Sequence, residues 1–122
     1  MTIENLSDTV LKAVMPQKLT ASDVEQLASR LDGLISERGR ISVMFDLRNF
    51  AGWENLEALG AHMDQLKFIQ GRTQHIDRIA VIAGHPWEQQ FLQMLRTILP
   101  TQVQSFGSNE EAVAAQWLGV AP

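Results

Sequence analysis

The chain has 122 residues and a formal net charge of −4; 45% of its residues are hydrophobic and 20% are charged. A chain of this length and composition buries a core as one domain, so we expect a single domain over residues 1–122. Because the sequence contains no cysteine, disulfides, thiol catalysis and thiolate metal sites are excluded.

The first part of the chain predicts two strands, a helix and a third strand. Two short apolar segments, Thr2–Leu6 and Thr9–Met15, lie so close together that they predict an antiparallel hairpin. Apolar residues at three- and four-residue spacing predict a helix over residues 19–40, and Gly39 is placed to end it in a left-handed conformation. The clearest strand follows directly, at Ile41–Leu47.

The second part predicts three more helices and two more strands. A helix is expected over residues 54–70, and the apolar run Arg78–Ala83 is typical of a central parallel strand. The next helix begins at Pro86 and is stopped by Pro100. After a short strand at Gln102–Phe106, the segment Ser108–Glu111 (SNEE) predicts a capping box that starts the last helix.

The predicted order of elements is β-β-α-β-α-β-α-β-α with short connections, which indicates a largely parallel sheet and an α/β fold. The strand Ile41–Leu47 is apolar on one face and mixed on the other, where Ser42 and Asp46 fall, and the second strand carries Lys12. This favours helices gathered mostly on one side of the sheet and strands in sequential order. Such a sheet lacks the nucleotide-binding crevice of doubly wound folds.

Four stretches in chain order carry a family resemblance: QKLT (17–20) followed by Asp23, FDLRNFAGW (45–53), RIAVIAGHPW (78–87) and the segment Phe106–Leu118. Together they resemble the SpoIIAA-like family of STAS domains, a group related to bacterial anti-sigma-factor antagonists. The resemblance implies a bacterial protein with a mixed, mostly parallel sheet of about five strands and helices wound as successive βα turns.

The resemblance also implies what this chain lacks. Anti-sigma-factor antagonists carry an Asp-Ser pair, phosphorylated on the serine, in the loop after the strand that corresponds to Ile41–Leu47. This sequence has no serine or threonine from Met44 to Gly71, and its corner at residues 49–54 reads NFAGWE. We therefore predict no phosphorylation switch in this loop.

Large apolar side chains follow two strands, in loops that a sequential strand order would place side by side. Parallel strands end at the same edge of a sheet. These side chains therefore predict an apolar binding site at that edge, the mouth, which binds a small hydrophobic or amphiphilic ligand or a protein partner. A groove between the second and third helices would extend it. The alternative is that the aromatic side chains only pack the loops onto the helices that follow. The predicted site residues are Phe50, Trp53, Leu59, Met63, Leu66, Trp87 and Phe91.

Other classes of partner are disfavoured. The basic residues are scattered, so nucleic acid is not an expected partner. The helix after Pro86 has a glutamine-rich polar face without the lysines and arginines of a membrane-surface helix, which leaves membrane association as a less favoured alternative. Self-association as a homodimer stays open. The N-terminus lacks the basic and apolar regions of a signal peptide, and we expect a cytoplasmic protein.

Catalytic and metal-binding patterns are missing from the sequence. There is no nucleophile elbow, phosphate-binding loop or dinucleotide fingerprint, so we predict a non-enzyme without catalytic residues or cofactors. The histidines are not spaced as metal ligands, and no metal is expected. Asp46 and Arg48 share the mixed face of their strand, where we expect structural ion pairs, for example with Lys12. The histidines are His62, His75 and His85.

Overall fold

The computed structural model describes residues 1–17, 21–49, 74–82, 93 and 102–120. Within these ranges the chain forms five strands and two helices. The strands are β1 (Thr2–Asn5), β2 (Val10–Val14), β3 (Ile41–Asp46), β4 (Ile76–Ile82) and β5 (Gln102–Phe106). The helices are α1 (Ala21–Arg38) and α2 (Glu111–Trp117).

The described strands form one sheet in the sequential order β1-β2-β3-β4-β5. β1 and β2 pair antiparallel, as the predicted hairpin requires, and the other neighbours pair parallel. The prediction of a five-stranded, mostly parallel α/β sheet is therefore confirmed. Because the described strands show no reversal of order, they form no crevice of the kind that holds nucleotides in doubly wound folds.

One core lies between the sheet and α1. Alternate residues of the strands point to the same face of a sheet, and here the odd-numbered residues of β2 and β3 face the helix. Leu27 and Leu31, separated by one helical turn, are at most 1% exposed and contribute the α1 side of this core. The sheet contributes Leu11, Ala13, Ile41, Val43, Phe45, Ile79, Val81 and Val103.

A second, smaller core lies between the other face of the sheet and α2. Ala114 and Leu118 pack there against a set of strand residues that includes Met44, Ala80 and Phe106. The mixed face of β3 is thus covered, and all six of its residues are buried. Of the two described helices, one lies on each face. Of the segments predicted as the second and third helices, the structure describes only Gln93, which is helical and exposed. The expectation that most helices share one side therefore stays a prediction.

The ends of two elements test the sequence predictions directly. Gly39 ends α1 with a φ of 82°, and its N–H donates to Ile35 O at 2.7 Å, as predicted. The prediction of a capping box at the start of α2 is wrong. The N-cap residue is Glu110, and its side chain makes no capping hydrogen bond to the described residues. The carboxylate of Glu111, expected to bond back to Ser108, instead contacts cationic side chains of the sheet.

Neither described helix is long and apolar enough to cross a membrane.

Candidate functional site

All seven predicted site residues fall outside the described residues. The structure does describe the strands from which their loops depart. β3 and β4 run parallel with Asp46 opposite Ile82, and the N–H of Leu47 donates to Ile82 O at 2.8 Å. The segments that follow Leu47 and Ile82 therefore begin side by side at the carboxyl edge of the sheet. The seven residues are Phe50, Trp53, Leu59, Met63, Leu66, Trp87 and Phe91.

An ion pair stands at the point where the first of these segments leaves the sheet. Asp46, the last residue of β3, is only 5% exposed. Arg48 binds it with two parallel bonds, from Nε to Oδ1 at 2.9 Å and from Nη2 to Oδ2 at 2.6 Å. The backbone N–H of Arg48 also donates to Asp46 Oδ1, at 3.1 Å. The two-residue spacing puts both side chains on the same side of an extended chain, which is why neighbours in sequence can pair here.

Glu111, in the first turn of α2, links this pair to β2. Its Oε1 contacts Lys12 Nζ and lies 3.1 Å from Arg48 Nη2. Arg48 Nη1 donates to the carbonyl of Ser108 at 3.1 Å, and Lys12 Nζ lies 3.5 Å from Glu4 Oε1. We call this group the carboxyl-edge charge cluster; its members are Glu4, Lys12, Asp46, Arg48 and Glu111.

The register of the sheet assembles the cluster. Glu4 pairs with Lys12 across β1 and β2, and Val14, two residues beyond Lys12, pairs with Asp46 across β2 and β3. Because side chains alternate along a strand, the three charged residues share the face that α2 covers. Asp46 and Arg48 form an ion pair, but with each other and not with Lys12 across the sheet as expected; the ion-pair partners of Lys12 are Glu111 and Glu4.

The contacts within the cluster favour the charged forms of Asp46 and Lys12. Burial raises the pKa of Asp46, but the hydrogen bonds and charge of Arg48 outweigh it, and the pKa of this carboxyl lies below its ordinary value. Burial lowers the pKa of Lys12, but the hydrogen bond to Glu111 and the surrounding carboxylates raise it above the ordinary value overall. Both shifts move the titration away from neutral pH, whereas a proton-transfer group needs a pKa near the working pH. The arrangement is suited to holding α2 and the chain after β3 in place.

No three His, Asp or Glu side chains of the described residues are placed to hold a metal ion. His75 lies with Nδ1 3.2 Å from Gly39 O, at the end of α1. His62 and His85 fall outside the described part of the chain.

The profile of the SpoIIAA-like family matches residues 10–119, from the start of β2 to just beyond α2. The chain belongs to the SpoIIAA-like family. No curated protein sequence matches it significantly. The sequence-based assignment of the fold and of the family is therefore confirmed.

Solved structures share the SpoIIAA-like fold. An uncharacterised protein of the DUF3478 family from Shewanella loihica PV-4, described as having a SpoIIAA-like fold, superposes with a TM-score of 0.70 at 24% identity, over 96% of this chain and 90% of that one. The Bacillus cell fate determinant SpoIIAA, in its phosphorylated form, superposes with a TM-score of 0.53 at 12% identity, over 92% and 95% of the two chains. At these identities the likeness establishes the fold alone.

Sequence reasoning missed the part that Glu111 plays in the cluster. Its position three residues after Ser108 is typical of a helix cap, and nothing near it in the sequence points to Lys12, which lies 99 residues away. The one available signal was Lys12 itself, a cation on a strand face that would otherwise be apolar.

Proposed function

We propose that this SpoIIAA-like protein is a non-enzymatic module that binds a small hydrophobic or amphiphilic molecule at the carboxyl edge of its sheet. The observation that carries the proposal is the hydrogen bond from Leu47 N–H to Ile82 O, which sets the two loop origins next to each other. The segments that start there contain two tryptophans, Trp53 and Trp87. Indole rings from two segments that begin next to each other would supply the large apolar contact area that such a ligand needs.

The remaining proposed contacts come from the same two segments. Phe50 precedes Trp53 by three residues, and Phe91 follows Trp87 by four, which on a helix is about one turn. The spacing of Leu59, Met63 and Leu66 puts them on one stripe of a helix, if the segment is helical as its sequence predicts. The proposed mouth would thus continue into an apolar groove.

The charge cluster supports the non-enzymatic part of the proposal. Its buried carboxylate is bound at both oxygens by Arg48, and its ammonium group contacts two carboxylates. Groups that are paired in this way, with pKa values displaced from neutrality, are poor candidates for general acid or base.

A regulatory protein partner is the second candidate. The observation that favours it is the structural likeness to SpoIIAA, a cell fate determinant. Since this sequence has no serine or threonine from Met44 to Gly71, such regulation would not use a phosphate group in that stretch. The segments at the carboxyl edge of the sheet would then provide the interface, either with another protein or with a second copy of the chain.

Native mass spectrometry distinguishes the two candidates. Freshly purified protein is compared with the same sample after denaturation, together with Trp53→Ala, Trp87→Ala and the control Trp117→Phe. We expect a non-covalent adduct of small-molecule mass that both alanine variants lose and the control retains. A dimer or a co-purifying protein without an adduct favours the second candidate. A bare monomer that also fails to bind a fluorescent fatty acid contradicts the ligand-binding proposal.

A further inference from the structure

The opposite edge of the sheet, where β3, β4 and β5 begin, carries a polar pocket of about 510 Å³. It lies on the face covered by α2, and the residues that end this helix, Leu118 and Gly119, form one wall. We call it the amino-edge pocket. Its polar lining consists of Arg40, Ser42, Asp77, Arg78 and Gln102.

A bulge in the sheet shapes this pocket. Ile41 and Val43 of β3 are two residues apart, but their partners Ile76 and Ile79 of β4 are three apart, so β4 carries one extra residue opposite Ser42. Bulges interrupt regular pairing and redirect side chains, and they are common beside functional sites.

Ser42 is the buried polar group of the pocket. It is only 7% exposed, and its hydroxyl makes no hydrogen bond to any part of the chain that the structure describes. A buried hydroxyl without a partner costs free energy, and native proteins usually satisfy such groups with protein, water or a ligand. Since Ser42 lines the pocket, a molecule bound there is in position to supply the missing partner.

The pocket also holds an oriented cation. Arg78 Nη1 donates to Trp117 O at 2.6 Å, and the guanidinium carbon lies 5.1 Å from the centre of the Trp117 ring. One of the five N–H donors of the guanidinium is used in this way. The side chain is therefore held in a defined direction, and among the described residues its other donors make no hydrogen bond that would compete with a ligand.

The balance of charge and donors selects the ligand class. Arg40 is paired with Asp77, from Nε to Oδ1 at 2.7 Å, so the two arginines and the single aspartate leave one net positive charge. Gln102 pairs in register with Arg78 and adds an amide donor next to it. Guanidinium, hydroxyl and amide donors together match an oxyanion, because charge-assisted bonds from arginine to carboxylate or phosphate are the strongest of this kind.

We propose that the amino-edge pocket is a second binding site, which takes a small oxyanion, a carboxylate or a phosphate, through Arg78, Ser42 and Gln102. The site lies at the edge opposite to the proposed hydrophobic mouth and does not depend on it. Substitution of Trp53 or Trp87 is therefore expected to leave oxyanion binding unchanged, and the two proposals can fail separately.

Amide chemical shifts of Arg78 and Gly119 test the proposal in titrations with sodium phosphate, sodium malonate and, at matched ionic strength, sodium chloride. We expect saturable shifts with at least one of the two oxyanions and none with chloride. Saturation with phosphate alone assigns a phosphorylated ligand, saturation with malonate alone assigns a carboxylate, and equal saturation assigns an oxyanion site of broad specificity. Shifts that stay linear with all three salts overturn the proposal.

Two variants and a control identify the residues. Ser42→Ala removes a hydroxyl that has no partner in the described chain, so the free protein is expected to be at least as stable as the wild type, while oxyanion affinity falls roughly 3- to 10-fold. Arg78→Gln is expected to lower affinity by more than about tenfold. The control Arg38→Gln, at the exposed end of α1, is expected to leave it unchanged. Equal affinity in Ser42→Ala and wild type means an adventitious ion only, and overturns the proposal.

Discussion

Arg48 holds both carboxylate oxygens of Asp46, the residue at which β3 ends, at 2.9 Å and 2.6 Å. Leu47, between them, extends the pairing of β3 with β4 by one hydrogen bond, to Ile82 O. The chain therefore leaves the sheet with one side chain buried in the core on the α1 face and an ion pair on the α2 face. This arrangement fixes the start of the segment that contains Trp53.

Replacement of Asp46 by asparagine removes the charge and leaves Arg48 and Lys12 with less compensation. We expect the free energy of unfolding to fall by about 1–3 kcal/mol; part of the effect is screened, because the Arg48 side chain is 35% exposed. Urea unfolding followed by circular dichroism measures the change. The control is Asp77→Asn, which breaks an ion pair whose side chains are 64% and 50% exposed and is expected to cost less than about 1 kcal/mol. Equal losses in the two variants would show that the Asp46 pair has no special weight.

The Asp46 carboxyl is also expected to make the free energy of unfolding depend on pH in the acid range. Because the pKa of Asp46 is lowered in the folded protein, its contribution is fully present above the unfolded value of about 3.9 and is lost as pH falls through the lower folded value. The difference in unfolding free energy between wild type and Asp46→Asn should be constant from about pH 5 to 7 and shrink below about pH 4. Urea titrations at a series of pH values measure it. A difference that does not change with pH would contradict the shift.

Glu111 is expected to couple α2 energetically to β2. In a double-mutant cycle of Glu111→Gln and Lys12→Met, we expect a coupling energy of roughly 0.5–2 kcal/mol, because each single substitution breaks the same contact. The matched control is a second cycle that uses Glu110→Gln in place of Glu111→Gln. The carboxylate of Glu110 accepts a hydrogen bond from Gly107 N–H, so the effects of Glu110→Gln and Lys12→Met on the free energy of unfolding should be additive. Additivity in both cycles would mean that the Lys12–Glu111 contact contributes nothing to stability.

Two glycines of the α1 region should respond in opposite directions to alanine. Gly33 lies inside α1, and no heavy atom of the described residues would be within 4 Å of an added Cβ; Gly33→Ala should raise the free energy of unfolding by about 0.5–1 kcal/mol. Gly39 has a φ of 82°. Gly39→Ala should lower the free energy of unfolding by about 1 kcal/mol, because a residue with a side chain disfavours that conformation. Thermal unfolding of wild type and both variants measures the two changes in stability. A change of the same sign in both would refute the assignment of the helix end.

Local periodicity accounts for the parts of the fold that were predicted well. The strand Gln102–Phe106 was predicted with the bounds that the structure shows, and the alternation along Ile41–Leu47 assigned each side chain to its face. Both depend on neighbours two residues apart. The prediction starts β4 at Arg78, two residues too late. The polar pair Asp77 and Arg78, at the bulge, separates Ile76 from the apolar run that marks the strand in the sequence.

By itself the sequence determined the fold class and the order of strands, because apolar spacing and short connections leave few ways to bury a core. The family followed from the resemblance of four stretches of the sequence to the SpoIIAA-like family. Only the tertiary structure decided that Glu111 leaves its expected cap for Lys12 and Arg48, and that Ser42, Arg78 and Gln102 line one pocket from three neighbouring strands. Both arrangements join residues far apart in the chain. Their energies come from desolvation and charge pairing, which depend on distances in the folded protein and leave no local pattern in the sequence.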